Sequence, residues 1–255
     1  MTETVKVLDI RLYGRNITSA VDNMIESIIK KESVNRCVSA TGAHGMVYAR
    51  QHPPFREVLD SFYLNLPDGM PGVWIGRLKG MKGMKRCYGP DFFKEFMEAS
   101  KALPITHFFC GGNPGVADKL KMEVRRKFKN DAVVGTYSPA FLPIDQYPFK
   151  EIGDQINKSS PNVVWIGLST PKQELFAARL KPFLKVNYII TVGAAFDFHV
   201  DKVVQAPRFI SRMGLEWLFR LIMEPRRLFK RYAEVVPLFL YYNIQELLRF
   251  ATKSK

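Results

Sequence analysis

Over about 190 residues the chain switches repeatedly between two hydrophobic periods, and few folds survive that pattern. Residues 37–43, 61–66, 105–110, 132–137, 162–167 and 188–193 are short runs rich in β-branched, aromatic or other apolar residues. Between them lie stretches with helical spacing. One is 18–29, where Val21, Met24, Ile25, Ile28 and Ile29 share a face; others are 46–51, 73–78, 92–101, 116–129 and 152–159. Apolar residues three and four apart mark one face of a helix, whereas a short apolar run bounded by turn residues marks a buried strand. Strands separated by helices are joined by crossovers. The expected fold is therefore α/β: a Rossmann-like, mostly parallel sheet with helices on both faces. Residues 5–12 alternate apolar and polar, as one further half-buried strand does.

Open sheets of this kind bind ligands in the crevice beyond the carboxyl ends of their strands, so the residues at those ends matter most. Residues 66–72 place one acid, Asp68, between Pro67 and Gly69 at such an end. Pro67 removes a backbone donor and Gly69 tolerates positive φ, so a sharp turn is expected there. Asp-Gly is also a common turn dipeptide with no chemistry attached. Thr41 closes the preceding strand and would lie close to Asp68 if the two strands are neighbours. The Gly-broken stretch 79–86 reads as mobile. Its Lys79, Lys82, Lys85 and Arg86 form a natural anion clamp beside an acid, although Arg86 reads equally well as a surface charge.

Two further strand ends carry signals. Gly111, Gly112, Asn113, Pro114 and Gly115 sit between a strand and a helix, where backbone amides and a helix N-terminus can approach a phosphate. Their spacing is neither Gly-x-Gly-x-x-Gly nor Walker A. Thr170, Pro171 and Gln173 read as an N-cap, a first helical residue and the far end of a capping box. The same geometry could instead offer Lys172 and Gln173 to a ligand in the crevice.

Residues 201–255 have a different character from residues 1–200. From Lys202 to Lys255 there are eleven Lys/Arg against four Asp/Glu, hence +7, half of the +14 of the whole chain. Arg208, Arg212, Arg220, Arg226, Arg227, Lys230 and Arg231 are interleaved with Phe209, Trp217, Leu221 and Phe229. Pro225 and Pro237 are expected to break this region into short helices. A basic, aromatic-rich amphipathic appendage suits an anionic membrane surface; a helical subdomain with a solvated basic face has the same composition. No apolar run approaches the ~20 residues of a spanning helix, and residues 1–10 lack the pattern of a signal peptide. The expected location is the cytoplasm, peripherally on the inner face of the cell membrane. The odd number of cysteines (Cys37, Cys87, Cys110), each in or beside an apolar run, fits buried thiols rather than a disulfide framework. Scattered histidines and the lack of Cys-x-x-Cys argue against zinc.

Read together, several stretches resemble the WecG/TagA/CpsF glycosyltransferases. They are residues 67–70 (Pro-Asp-Gly-Met), 86–91 (Arg-Cys-Tyr-Gly-Pro-Asp), 109–115 (Phe-Cys-Gly-Gly-Asn-Pro-Gly), 167–174 (Gly-Leu-Ser-Thr-Pro-Lys-Gln-Glu) and 192–197 (Val-Gly-Ala-Ala-Phe-Asp). The series continues through Gln205-Ala-Pro207, residues 214–220 and 224–227, and Arg231-Tyr232. The resemblance implies an inverting, metal-independent transferase, with no cofactor. It would move a hexose-type sugar from a UDP-sugar to a polyprenyl-diphosphate-linked saccharide for a cell-surface polysaccharide. The absence of any Asp-x-Asp pair agrees with that.

Carried onto this chain, the resemblance makes Asp68 the general base. Arg86, helped by Arg226 and Arg227, would neutralise the departing UDP diphosphate. Thr41 and Gln173 would hold sugar near Asp68, and Gly111, Gly112 and Asn113 would let backbone approach the nucleotide. Where many members read Thr-x-Asn, this chain has Thr41-Gly42-Ala43. Gln205 stands in an altered neighbourhood before Ala206-Pro207. Both departures bear on which sugar is used. Of the rival classes, a nicotinamide-dependent oxidoreductase should show a glycine fingerprint that is missing here. A nucleic-acid-binding module should spread its basic residues over a reading face instead of an apolar tail. Self-association of the core is left open.

Overall fold

The computed structural model describes residues 3–253, which form an eight-stranded sheet and twelve α-helices. The strands are β1 (Thr4–Val7), β2 (Ile10–Tyr13), β3 (Arg36–Thr41), β4 (Leu64–Pro67), β5 (His107–Gly111), β6 (Val133–Tyr137), β7 (Val163–Gly167) and β8 (Tyr188–Thr191). Their spatial order is β1-β2-β4-β3-β8-β7-β5-β6. Every neighbouring pair is parallel except β1 with β2.

Helix α1 (Ile17–Ile29) leads into β3; α2 (Ala43–Gln51) and α3 (Pro53–Ser61) lie between β3 and β4. Helices α4 (Met70–Leu78) and α5 (Gly89–Ser100) follow β4, and α6 (Val116–Phe128), α7 (Phe149–Asn157) and α8 (Lys172–Leu180) follow β5, β6 and β7. After β8 come α9 (Ala195–His199), α10 (Arg208–Arg212), α11 (Glu216–Met223) and α12 (Pro225–Lys253).

Successive side chains of a strand point to opposite faces, and here both faces are covered. Phe109, Trp165, Tyr188 and Ile190 pack with Ile25 of α1, Phe93 and Phe96 of α5 and Leu120 of α6. Phe108, Cys110, Val164, Ile166 and Ile189 pack with Ile156 of α7 and Phe176 and Leu180 of α8. Burial on both sides explains why these strands read as continuous apolar runs. A third cluster joins the β1–β2 hairpin, α2 and α3 to Val235 and Phe239 of α12. All three cysteines are free and buried, and burial pushes the Cys37 thiol up to about 11 and those of Cys87 and Cys110 up to about 12.

Three expectations need correction. Residues 5–12 form a hairpin, not one strand: Val7 faces Ile10 across the antiparallel pair, and Leu8 and Asp9 adopt φ of 49° and 66°. That is the conformation of a tight hairpin turn, reached here without Gly or Asn. A contact from far along the chain supports it, since the Leu8 amide donates to Glu246 Oε2 at 2.9 Å. Helix α3 escaped the periodicity reading because Pro53 and Pro54 open it, where missing amides cost nothing. Finally, Pro237 does not break α12. It forfeits one amide, the one that would reach Ala233, while buried Leu228, Val235, Phe239 and Asn243 hold the helix on either side. The side chains of Arg208, Arg212 and Lys253 and the whole of Lys255, counted in the basic tail, lie outside the described residues.

Candidate active site

The parallel strands point their carboxyl ends to one edge, and the singled-out residues of β3, β4, β5 and β7 collect there. Thr41 pairs in register with Pro67, so the ends of β3 and β4 are adjacent and the Asp68 amide donates to the Thr41 carbonyl at 3.2 Å. Asp68 Oδ1 accepts the Gly89 amide at 2.7 Å from the start of α5. Its Oδ2 accepts no hydrogen bond from the described residues and lies on the Gly42 side, 3.6 Å from where a Cβ of residue 42 would stand. A Cβ at Gly89 would come within 3.0 Å of the Val192 carbonyl, so only glycine lets α5 begin that close to the acid.

Burial raises the pKa of Asp68 above the ordinary carboxylate value, while Arg86, the Gly89 amide and Arg220 oppose that rise. A carboxylate destabilised by burial yet held ionisable by cations is suited to taking a proton near neutral pH.

Of the two arginines that oppose the rise, Arg86 is the nearer in sequence, and its Nε donates to the Asp68 carbonyl at 2.6 Å. Its guanidinium lies 4.1 Å above the Tyr88 ring centre, and Nη2 pairs with Glu216 Oε2 of α11 at 2.8 Å. Burial lowers the Arg86 pKa, but Asp68 and Glu216 together more than reverse that, so the group stays charged. Of the expected basic clamp, Lys82 and Lys85 are exposed and one member is diverted. Lys79 turns away to Glu246 at 2.7 Å and to the Lys6 carbonyl at 2.9 Å, because that carboxylate already sits at the hairpin it supports.

Sequence reasoning passed over Glu216 and Arg220 as site residues. Arg220 interacts electrostatically with Asp68, and its guanidinium carbon lies 5.5 Å from the Phe198 ring centre. Its buried Nε has no hydrogen-bond partner among the described residues. An orphaned, buried guanidinium nitrogen is costly and is relieved by an anionic ligand. The signal lay in residues 214–220, already singled out as a motif, but nothing local says which of its side chains turns inward. Arg226 and Arg227 are exposed on the first turn of α12, Arg227 paired with Glu224 at 2.6 Å.

Thr41 and Gln173 are brought to the crevice but face into the sheet. Thr41 Oγ1 donates to Ser39 Oγ at 3.1 Å. Gln173 is 1% exposed; its Oε1 accepts the Gly193 amide at 2.8 Å, and its Nε2 donates to Glu174 Oε1 at 2.8 Å and Thr170 Oγ1 at 3.2 Å. The expected capping box is therefore absent. α8 starts at Lys172 with no side-chain cap, because the Gln173 amide is spent on the β8 loop and the Thr170 hydroxyl on Glu174 Oε1 at 2.9 Å. Glu174, unnoticed in the sequence, is the buried hub of this network: Ser39 Oγ also reaches its Oε1, at 3.2 Å. Lys172 turns to the Leu142 carbonyl and the Phe141 ring, at the β6 side of the crevice.

At that side the floor is backbone. Gly111 and Gly112 have φ of +135° and +72°, and a Cβ at Gly111 would stand 2.6 Å from the Gly167 carbonyl. The Gly112 amide donates to that carbonyl at 2.9 Å, and Asn113 is exposed beside it. From β4 across β3, β8 and β7 to β5 is four strand spacings, roughly 19 Å. Among the described residues no group of three or more His, Cys, Asp or Glu could hold a metal ion, and no helix is long and apolar enough to cross a membrane.

The family model described as "Glycosyl transferase WecG/TagA/CpsF family" matches residues 5–253. A protein from Bacillus spizizenii named N-acetylglucosaminyldiphosphoundecaprenol N-acetyl-beta-D-mannosaminyltransferase is 28% identical over 226 residues, which is 89% of this chain and 85% of that protein. A Bacillus subtilis protein with the same name is 26% identical over an equal extent.

Proposed function

Because the chain belongs to the WecG/TagA/CpsF family of glycosyltransferases, we propose that it moves an N-acetylmannosamine-type sugar from a UDP-sugar to an N-acetylglucosaminyl polyprenyl diphosphate. The reaction inverts the anomeric centre and needs no metal. The names of the two Bacillus relatives supply the sugar and acceptor of this reading. The observation that carries the chemistry is Asp68. It is a carboxylate at the strand ends, with one oxygen fixed by Gly89, a raised pKa, and two arginines around it.

In this mechanism Asp68 takes the proton of the acceptor hydroxyl as its oxygen bonds to the anomeric carbon. The bond from that carbon to the β-phosphate oxygen breaks on the opposite side, and its electron pair leaves with UDP. Arg86 and Arg220 meet the charge that develops on the diphosphate, an electrostatic stabilisation needing no Lewis acid. The ion pair between Arg86 and Glu216 ties α11 to the site, so residues 201–255 complete the crevice built by residues 1–200. The network through Glu174, Gln173 and Gly193 sets the β8 loop beneath the sugar. The glycine turn after β5 receives the nucleotide, a span of the crevice comparable with an extended nucleoside-diphosphate sugar.

The segment from α10 to the start of α12 also leaves large apolar side chains exposed: Phe209, Met213, Leu218, Ile222, Met223 and Phe229. Beside basic side chains, they suit a peripheral seat on an anionic membrane, where a lipid-linked acceptor lies. The test is transfer itself. Purified protein is offered a panel of UDP-sugars with a short-chain N-acetylglucosaminyl polyprenyl diphosphate, and the product linkage is read by NMR. Release of UDP with an inverted product, undiminished by chelator, is expected; a retained configuration or dependence on added metal contradicts the mechanism.

A further inference from the structure

We propose that the cavity between α2 and α12 is a second anion site, and that it takes the diphosphate of the polyprenyl-linked acceptor while Arg86 and Arg220 serve the donor. The assignment rests on the transferase reading above and divides the cations of that site between two substrates. The cavity measures about 370 Å³ and is lined by His44, Tyr48 and His52 from α2 and by Arg227, Lys230 and Arg231 from α12. Three cations face it against one carboxylate, Glu234, and Arg227 already shares Glu224. Arg231 is held below its ordinary pKa by burial and then by Arg227 and Arg220, with Tyr232 opposing. His44 is pushed down to about 4 by burial and by Arg231, and so stays neutral. Positive charge is thus concentrated in a partly buried space with too few acids to balance it, and a doubly charged phosphate group relieves that excess.

Position selects the acceptor. His44 stands two residues beyond Gly42, which borders Oδ2 of Asp68, and Arg231 of the lining interacts with Arg220, which in turn interacts with Asp68. The donor runs the other way, across β3, β8 and β7 to the glycine turn. An acceptor whose hydroxyl meets Asp68 carries its diphosphate one sugar ring away, and the cations of this cavity are the ones assigned to it. Tyr48 and His52, stacked with ring centres 3.8 Å apart, supply a flat wall.

Farnesyl diphosphate is the probe, titrated calorimetrically into the full chain with UDP already saturating. Binding is expected, and Lys230→Ala combined with Arg231→Ala should weaken it by about tenfold or more without changing the affinity for UDP. Lys230→Glu, at an exposed position, repeats the test without disturbing packing. Displacement of the probe by UDP, or unchanged binding in both variants, overturns the assignment. A phospholipid headgroup presents similar chemistry, so phosphatidylglycerol vesicles form the second arm. If Lys230→Glu abolishes vesicle binding but spares farnesyl diphosphate, the cavity reads headgroups and the assignment fails. Because binding is measured without turnover, a failure of sugar transfer would sink the proposed reaction separately from this site.

Discussion

At the β4 end of the crevice the floor is made of charged side chains; at the β5 end it is made of backbone. Asp68, Arg86, Glu216 and Arg220 come from three separated parts of the chain and hold one another, with one guanidinium nitrogen left over. Gly111 and Gly112 have no side chains to offer and hold the backbone in conformations that other residues rarely adopt. The first construction can move a proton and stabilise a leaving group, at the cost of burying charge. The second can only accommodate, and tolerates no added atom. On the proposed mechanism, chemistry and recognition occupy opposite ends of one sheet edge.

The comparison breaks hardest at Asp68. Replacing it with Asn should lower turnover by about 10²- to 10⁴-fold and leave the calorimetric affinity for UDP-sugar within a factor of a few; equal losses in both would deny the division. Next comes Arg86→Ala, which strands Glu216 in a mostly buried place. Breaking such a pair from one side costs about 3–5 kcal/mol, so the urea midpoint should fall sharply along with the rate. Combining Arg86→Met with Glu216→Met should recover much of the stability and none of the activity.

At the other end, Gly111→Ala asks for a Cβ 2.6 Å from the Gly167 carbonyl at a φ of +135°. A destabilisation of about 1–3 kcal/mol and a raised KM for the donor are expected, with kcat at saturation largely kept. The smallest effect belongs to Lys82→Ala. Its side chain is exposed and is placed in neither construction, so stability should move by less than about 0.5 kcal/mol and turnover not at all.

The contrast between the two ends also explains what could be read in the sequence. The parallel sheet was legible because its strands are buried on both faces and announce themselves as apolar runs such as 162–167. The glycine turn was legible because backbone constraint is written locally. Asp68 and Arg86 stood out through motif neighbours. Glu216 and Arg220 did not, since their meaning lies in what α11 packs against, about 150 residues from the base. Thr41 and Gln173 were visible as strand-end and helix-start residues, yet which way a side chain turns depends on Ser39, Glu174 and Gly193. The hairpin at Leu8 and Asp9 was hidden for the same reason: its support, Glu246, lies at the far end of α12.

The pH dependence of kcat, taken in the wild type and in Asp68→Asn, tests the role of the carboxylate most directly. A base must be ionised to act, so activity should fall as pH drops through the pKa of Asp68, which burial has raised. The acidic limb should therefore lie above the ordinary carboxylate range, and the residual rate of Asp68→Asn should be flat there. An acidic limb that persists unchanged in the variant would mean that some other group takes the proton.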